Sequence, residues 1–412
     1  MTLNLFTCTP RNFYPTMLSD FTLHYYDYID RSKEVTVKYN EGKVKNMRRN
    51  MISRLIAALL LVTIIAAGIA GCSTTAQGNA PASGSQGAVN TQLSAVAPAQ
   101  ANTGVITIVW YPNESANDYE GSRNELGRII EQATGRRVEH RLTTDYVIAI
   151  ESIASGSADI GAVFGAVGMI EAQTRNPAVQ PLVVNSGSSG TLDDAIYYAW
   201  LTVNRGEEDQ YRSGGGFSIQ NIQGKRMSFV SNSSTSGFRV PSSGIIDFFS
   251  QTAEWSSIDE DDILGLGRRP FFGEVLFGGS HQGSLFNLID GRADIAAVCD
   301  TCVDAYIELR TGQHNTPGAV YAIQQNASAP FDASGGREFV LIGVVPVLNG
   351  PIVYNPQNLS ADEIRAIRDL LTSDETANNP LIFGEGGDFA FYTKSGNNRY
   401  VVPENSWYDP LR

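Results

Sequence analysis

Lysine almost disappears from this chain after Cys72, where only Lys225 and Lys394 follow. The first 71 of 412 residues hold 9 Lys/Arg and 5 Asp/Glu, which leaves 21 basic against 38 acidic residues beyond them, a net of −17. Nucleic acid and anionic lipid are gripped through clustered positive charge, so a surface of this kind repels both. No zinc-finger spacing, basic helix or aromatic-basic RNA motif offsets that charge. Nucleic acid is excluded as a partner. Cysteine is scarce too, at four residues: Cys8, Cys72, Cys299 and Cys302. A single CxxC falls short of the four ligands a zinc site needs, and no metal or cofactor is expected. In an exported protein Cys299 and Cys302 read instead as a structural pair, a local disulfide or two buried thiols.

One long uncharged apolar run is present, at residues 55–69. It follows Arg48, Arg49 and Arg54 and ends in "IAGC", Ile69 to Cys72. This is the layout of a secretory signal peptide over 47–71, although the run nearly reaches the length of a single spanning anchor. The small-residue tail resembles the lipobox of bacterial lipoproteins. That resemblance implies lipidation at Cys72 and an extracytoplasmic chain, periplasmic or cell-surface, held to the membrane by one end. Residues 1–46 precede a signal that works at an N-terminus, and Met47 and Met51 are natural starts. They read as an upstream extension. Residues 72–103 are small and polar, with no charge, and form a flexible tether.

The folded part begins at "GVITIVWYP", where β-branched residues mark a strand ended by Pro112. A helix over 125–135 stops at a glycine, "RRVEHRL" is a second strand, 144–156 a second helix with Thr144 as its cap, and "ADIGAVFG" a third strand. Strands alternating with helices predict an α/β fold. The apolar run "AIYYAWLTVN" leads out of a first lobe (104–204 and 347–412) into a second (205–346), and the chain returns near Pro346. Ser360 and Glu363 form a capping box for a late helix. Two lobes joined by two hinge crossovers enclose a cleft, the usual place for a small ligand.

"SNSSTSGFRVP", from Ser231, packs five hydroxyls between a strand, "KRMSFV", and a helix placed from Ser243. Backbone N–H groups and hydroxyls at a helix N-terminus suit an oxyanion. This turn, together with "TDYVIAIESIASGSADIGAVFG", "FGGSHQGSLFNLIDGRADIAAVCD" and "PVLNGPIVYNP", resembles the phosphate/phosphite/phosphonate-type substrate-binding proteins of ABC transporters, in the same order over most of 104–371. The resemblance implies a type II periplasmic-binding-protein fold that clamps a small phosphorus oxyanion between its lobes. It implies oxyanion contacts from Ser234, Thr235, Ser236 and His281, a first-lobe contact from Tyr146, a second from Tyr197 or Tyr198, and a role for Asp300 in accepting a ligand proton or orienting His281. The implied partners are an ABC permease and its ATPase, the chain acting as a monomer. A sensing role that feeds a membrane receptor, or another cargo such as a sulfonate or a metal-anion pair, stands as the alternative.

The physics agrees with an anion. Neutral donors preorganised at a helix start hold one without a cationic side chain, and His281, with a near-neutral pKa, donates from either nitrogen. Ser236, His281 and Asp300 occur in the order of a hydrolytic triad, but no G-x-S-x-G elbow surrounds the serine, and no enzyme activity is expected. Departures from the family's pattern are Asn349 and Gly350, where aminoalkylphosphonate binders place an aspartate, and longer segments at 251–269 and 314–336 that are expected to shape the cleft mouth.

Overall fold

The computed structural model describes residues 104–113, 117–385 and 389–412. The expected upstream extension, signal peptide, Cys72 anchor and tether lie outside those residues. Two sheets carry the chain. The first is built from β1 (Ile106–Trp110), β2 (Val138–Leu142), β3 (Ile160–Ala162) and β4 (Gln180–Asn185), connected by helices α1 (Glu120–Thr134), α2 (Tyr146–Ser155) and α3 (Ala166–Arg175). Gly135 and Gly156, at φ 68° and 76°, end α1 and α2 in the left-handed conformation that a side chain disfavours. Asp145, rather than the expected Thr144, caps α2 by accepting the Val147 N–H at 2.7 Å.

The second sheet holds β5 (Ile196–Asn204), β6 (Arg226–Phe229), β7 (Glu274–Phe277), β8 (Ile295–Cys299), β9 (Ile307–Thr311), β10 (Val320–Ile323) and β11 (Glu338–Leu348). Helices α4 (Val240–Phe249) and α5 (His281–Ile289) belong to it. The chain then returns to the first sheet with β12 (Pro351–Tyr354), α6 (Ala361–Leu371) and β13 (Tyr400–Val401). The Ser360–Glu363 capping box forms as expected. Strand order is β13-β4-β12-β3-β1-β2 in the first sheet and β9-β10-β11-β5-β8-β6-β7 in the second. β1 runs parallel to β2 and β3, and β8 parallel to β6, whereas β5 and β12 run antiparallel to their neighbours.

This two-lobed α/β architecture matches the expectation, and the return crossing lies within a few residues of Pro346, but the first crossing lies earlier than the sequence suggested. Ile196–Asn204 pairs with β11 from Ile196↔Leu348 to Asn204↔Phe339, and its other edge pairs with β8. "IYYAWLTVN" is apolar because it is a central strand of the second sheet, not because it leaves the first. The chain therefore crosses within 186–195 and again at 349–350, side by side: the Asn349 N–H donates to the Ala195 carbonyl at 2.9 Å. Asn349 Nδ2 also reaches the Asn185 carbonyl, and the Tyr408 hydroxyl donates to the Asn349 carbonyl.

The segment 251–269 is anchored in the second lobe. Trp255, Ile258 and Ile263 are buried with Phe271 and Phe272 in the second lobe's core, and the Arg269 guanidinium lies 3.7 Å from the Trp255 ring centroid. The other long segment does cross over: the Ser328 hydroxyl donates to Asp118 Oδ2, at 2.6 Å, on the approach to α1.

Candidate functional site

The serine-rich run leaves β6 and turns into one wide helical turn, Thr235–Arg239, that feeds α4 directly. The helix thus starts before the expected Ser243, and Pro241 sits in its first turn, where a missing N–H costs nothing. The five hydroxyls do not all face one spot. Ser231 accepts the Ser233 N–H, and Ser233 donates to Glu171 Oε2 on α3 at 2.9 Å. Ser234 caps the turn by accepting the Gly237 N–H at 3.1 Å, and Thr235 Oγ1 accepts the Val167 N–H, in the first turn of α3, at 3.0 Å. The Ser236 hydroxyl has no hydrogen-bond partner among the described residues. A hydroxyl whose oxygen already accepts has its proton left to offer. The nest therefore narrows to Ser234, Thr235 and Ser236, each about 2% exposed.

Thr235 is one of the points where the two lobes meet. Gly165, the residue before α3, has no side chain there, and a Cβ would stand 2.8 Å from Thr235 Oγ1. Just upstream, Val163 has φ 53°, a conformation a β-branched residue rarely adopts. Val163 and Asn315 are the non-glycine residues at positive φ among those described, and both lie beside this site. Together with Ser233–Glu171, Ser328–Asp118 and Thr393 Oγ1–Asp304 Oδ2 at 3.2 Å, the Thr235 contact describes closed lobes.

The turn packs against β8, whose end carries the next two residues of the site. His281 opens α5, after the Ser280 cap. Its Nδ1 accepts the Cys299 N–H at 2.9 Å, which leaves Nε2 as the position of the ring proton. Burial pushes its pKa down to about 3, so the ring is neutral and donates from Nε2 alone. That corrects the expectation of a near-neutral pKa with either nitrogen donating, and it is Cys299, not Asp300, that orients the ring. Cys299 and Cys302 are joined as a disulfide with Cα atoms 5.4 Å apart, so neither offers a thiolate to a metal, although both lie close to His281.

Asp300 is buried. Its Oδ1 accepts from the Tyr198 and Thr301 N–H groups at 2.9 and 2.8 Å, and Oδ2 accepts from Asn315 Nδ2 at 3.1 Å. Burial outweighs those bonds and pushes its pKa up to about 6.

Tyr146 is buried in the first lobe with its hydroxyl on Asn113 Oδ1, and its ring stacks on Tyr111 at 4.2 Å. Tyr111 in turn stacks on Phe164 at 4.3 Å, and its own buried hydroxyl has no partner among the described residues. Val230, which leads into the serine turn, packs in the same apolar cluster. Tyr197 is half-buried on β5, and it is the neighbouring Tyr198 whose backbone reaches Asp300. The structure so gathers Ser234, Thr235, Ser236, His281 and Asp300 around the end of β8 and brings Tyr146 to the turn through Val230. Residues the sequence reading missed are Val167, Glu171, Asn113 and Asn315. "FGAVG" carried a hint of the first in its glycines, and the others had no local signal.

The sequence matches, over residues 108–403, the profile of the family described as ABC transporter, phosphonate, periplasmic substrate-binding protein. The chain belongs to that family. It is 28% identical over 234 residues to the phosphate-import protein PhnD of Mycolicibacterium smegmatis, covering 56% of this chain and 67% of that one. Two solved structures share the fold. One is a binding-protein component of an ABC phosphonate transporter from Pseudomonas aeruginosa, with TM-score 0.51, 16% identity, and 75% and 84% of the two chains covered. The other is PhnD1 from Prochlorococcus marinus in complex with methylphosphonate, with TM-score 0.50, 14% identity, and 74% and 95% covered. The family is one of transport binding proteins rather than enzymes. Among the described residues, no helix is long and apolar enough to cross a membrane.

Two buried ionisable groups of the site, His281 and Asp300, oppose each other in pH dependence. His281, with its folded pKa lowered, contributes stability that is full above pH 6.5 and is lost as pH falls toward about 3. Asp300, with its folded pKa raised, contributes stability that is full below pH 3.8 and is lost as pH rises through about 6. Between about pH 4 and 6 the unfolded chain gains a proton on one group where the folded chain gains it on the other. The joint contribution of these two groups is expected to be nearly flat there. In Asp300→Asn the histidine arm is no longer offset, and urea unfolding should show stability falling more steeply from pH 6 to 4 than in the parent chain. A flat profile in that variant would contradict a buried neutral His281.

Proposed function

We propose that this binding protein captures a small phosphorus oxyanion (phosphate, phosphite or an alkylphosphonate) between its lobes and delivers it to an ABC permease with its ATPase. The observation that carries the reading is Thr235, whose hydroxyl accepts an N–H from the opposite lobe and keeps its proton for a ligand. Ser234 and Ser236 flank it with two more hydroxyls, His281 Nε2 adds a neutral donor, and Tyr146 closes the site from the first lobe. Neutral, fixed donors replace a cation in a chain of net negative charge, and because they are dipoles they act at short range, where net charge is screened beyond about 8–10 Å. Asp300 argues for a ligand that carries a proton. Its carboxyl holds its own proton up to about pH 6 and, above that, accepts an O–H, which phosphate and phosphonate monoanions possess and sulfate lacks. The related proteins named above, one a phosphate importer and one bound to methylphosphonate, support the same class. A lipid on Cys72 and the 72–103 tether would hold the lobes near the permease from outside the membrane.

Titration calorimetry of the full-length chain against phosphate, phosphite, methylphosphonate, methylsulfonate and sulfate tests this. Saturable binding of at least one phosphorus oxyanion, with none of sulfate, is the expected result. Binding of the sulfonate alone, or hydrolysis of a phosphate ester lost on Ser236→Ala, would overturn it.

A further inference from the structure

Asn315 comes from the hairpin between β9 and β10, far in sequence from the oxyanion turn, and its φ of 53° is a turn conformation that asparagine tolerates better than most side chains. Its side chain joins the hairpin to the site. Asn315 Oδ1 accepts from Trp200 Nε1 at 2.7 Å, and Nδ2 donates to Asp300 Oδ2 at 3.1 Å. The amide orientation is fixed by chemistry, because an indole N–H only donates and so requires the oxygen to face Trp200. The amide NH2 is thereby aimed at the carboxylate. The residue is braced from behind as well: its N–H donates to the Tyr321 hydroxyl, which is paired with His314 Nδ1 at 2.8 Å, and Trp200 is fully buried against Tyr321.

A buried carboxylate at the rim of an anion nest is an obvious receptor for a ligand ammonium. Here that role is pre-empted. Oδ1 already takes two backbone N–H groups and Oδ2 takes the asparagine amide, so of about four lone-pair directions one is left. One acceptor direction serves an O–H, whereas an ammonium brings three donors and a desolvation cost that one acceptor does not offset.

We propose that Asn315 is a specificity-determining residue: it occupies Asp300 Oδ2 in the place of a ligand amine and so restricts the cleft to phosphorus oxyanions without an ammonium group. This rests on the oxyanion reading above. The ionisable groups that face Asp300 are Asp304 on its own segment, Tyr198 on β5, Tyr321 on the hairpin with His314 behind it, and His281 across Cys299.

The test compares ethylphosphonate with 2-aminoethylphosphonate on the full-length chain, by titration calorimetry, in the unsubstituted protein and in two variants. Asn315→Gly suits the positive φ and removes the amide, while Asn315→Asp keeps the acceptor for Trp200 and replaces the donor. Both are expected to shift the affinity ratio toward the amine by tenfold or more. An unchanged ratio overturns the proposal. A second readout needs no ligand: the Asp300 carboxyl, followed by carbon NMR in the unliganded chain, should titrate at higher pH in Asn315→Gly, because a bond that favours its charged form is gone. If no phosphorus oxyanion (phosphate, phosphite or phosphonate) binds the unsubstituted protein, the oxyanion reading fails, and an Asp300 titration unmoved by Asn315→Gly overturns the present inference separately.

Discussion

Thr235→Val is expected to weaken oxyanion binding on the order of a hundred- to ten-thousandfold while leaving the unliganded protein folded. Valine keeps the shape of threonine and deletes one oxygen, and that oxygen has two duties. It offers its proton to the ligand, a bond to a charged group worth about 1.5–3 kcal/mol. It also accepts the Val167 N–H from the opposite lobe, and without it closure buries that N–H unpaired, at about 1–3 kcal/mol. At about 1.4 kcal/mol per tenfold the two losses give the stated range. Calorimetry with the tightest ligand of the panel measures it, and Thr235→Ser should recover most of the affinity. An unaltered dissociation constant in Thr235→Val would remove the residue from the site.

Gly350→Ala is the second substitution with a large expected effect, and it acts on the fold. A Cβ there would lie 1.9 Å from the Phe164 carbonyl oxygen, 2.9 Å from its carbon and 3.1 Å from Gly165 Cα. These are backbone atoms, with no rotamer to relieve the clash. They belong to the segment that positions α3 and, through Val167, the contact to Thr235. The chain must move apart at the second crossing, at a cost of about 3 kcal/mol or more. Denaturant unfolding should show a lower midpoint, and ligand affinity should fall with it because the two halves of the site lose register. A midpoint unchanged from the parent chain would mean that the crossing tolerates displacement that the packing forbids.

What the sequence revealed and concealed divides along the distance over which each feature acts. The Ser360–Glu363 capping box, the glycine stops of α1 and α2 and the alternation in β1 depend on neighbours within a few residues, and they were readable. The lobe boundary was not, because a central strand such as Ile196–Asn204 and a departing connection both read as an apolar run until the pairing partners are known. His281 was singled out, but its ionisation was misjudged: a near-neutral pKa belongs to a solvated ring, and only the structure shows the burial and the Cys299 N–H that make it a one-sided neutral donor. The serine run illustrates the same limit. Five hydroxyls in a row signal polar work, yet which of them cap, which clasp the other lobe and which stay open is decided by Glu171 and Val167, more than sixty residues away.

The paired strands β5 and β11 end together, at Ile196 and Leu348, and Asn349 ties the two passages to each other and to Asn185 and Tyr408. Two connections pinned to each other at Asn349, beside the ends of a rigid strand pair, leave a bend at that point as the easiest relative movement of the halves. The halves of the molecule therefore swing apart like the covers of a book, along one path, and each return brings Thr235 back to the same N–H without a search.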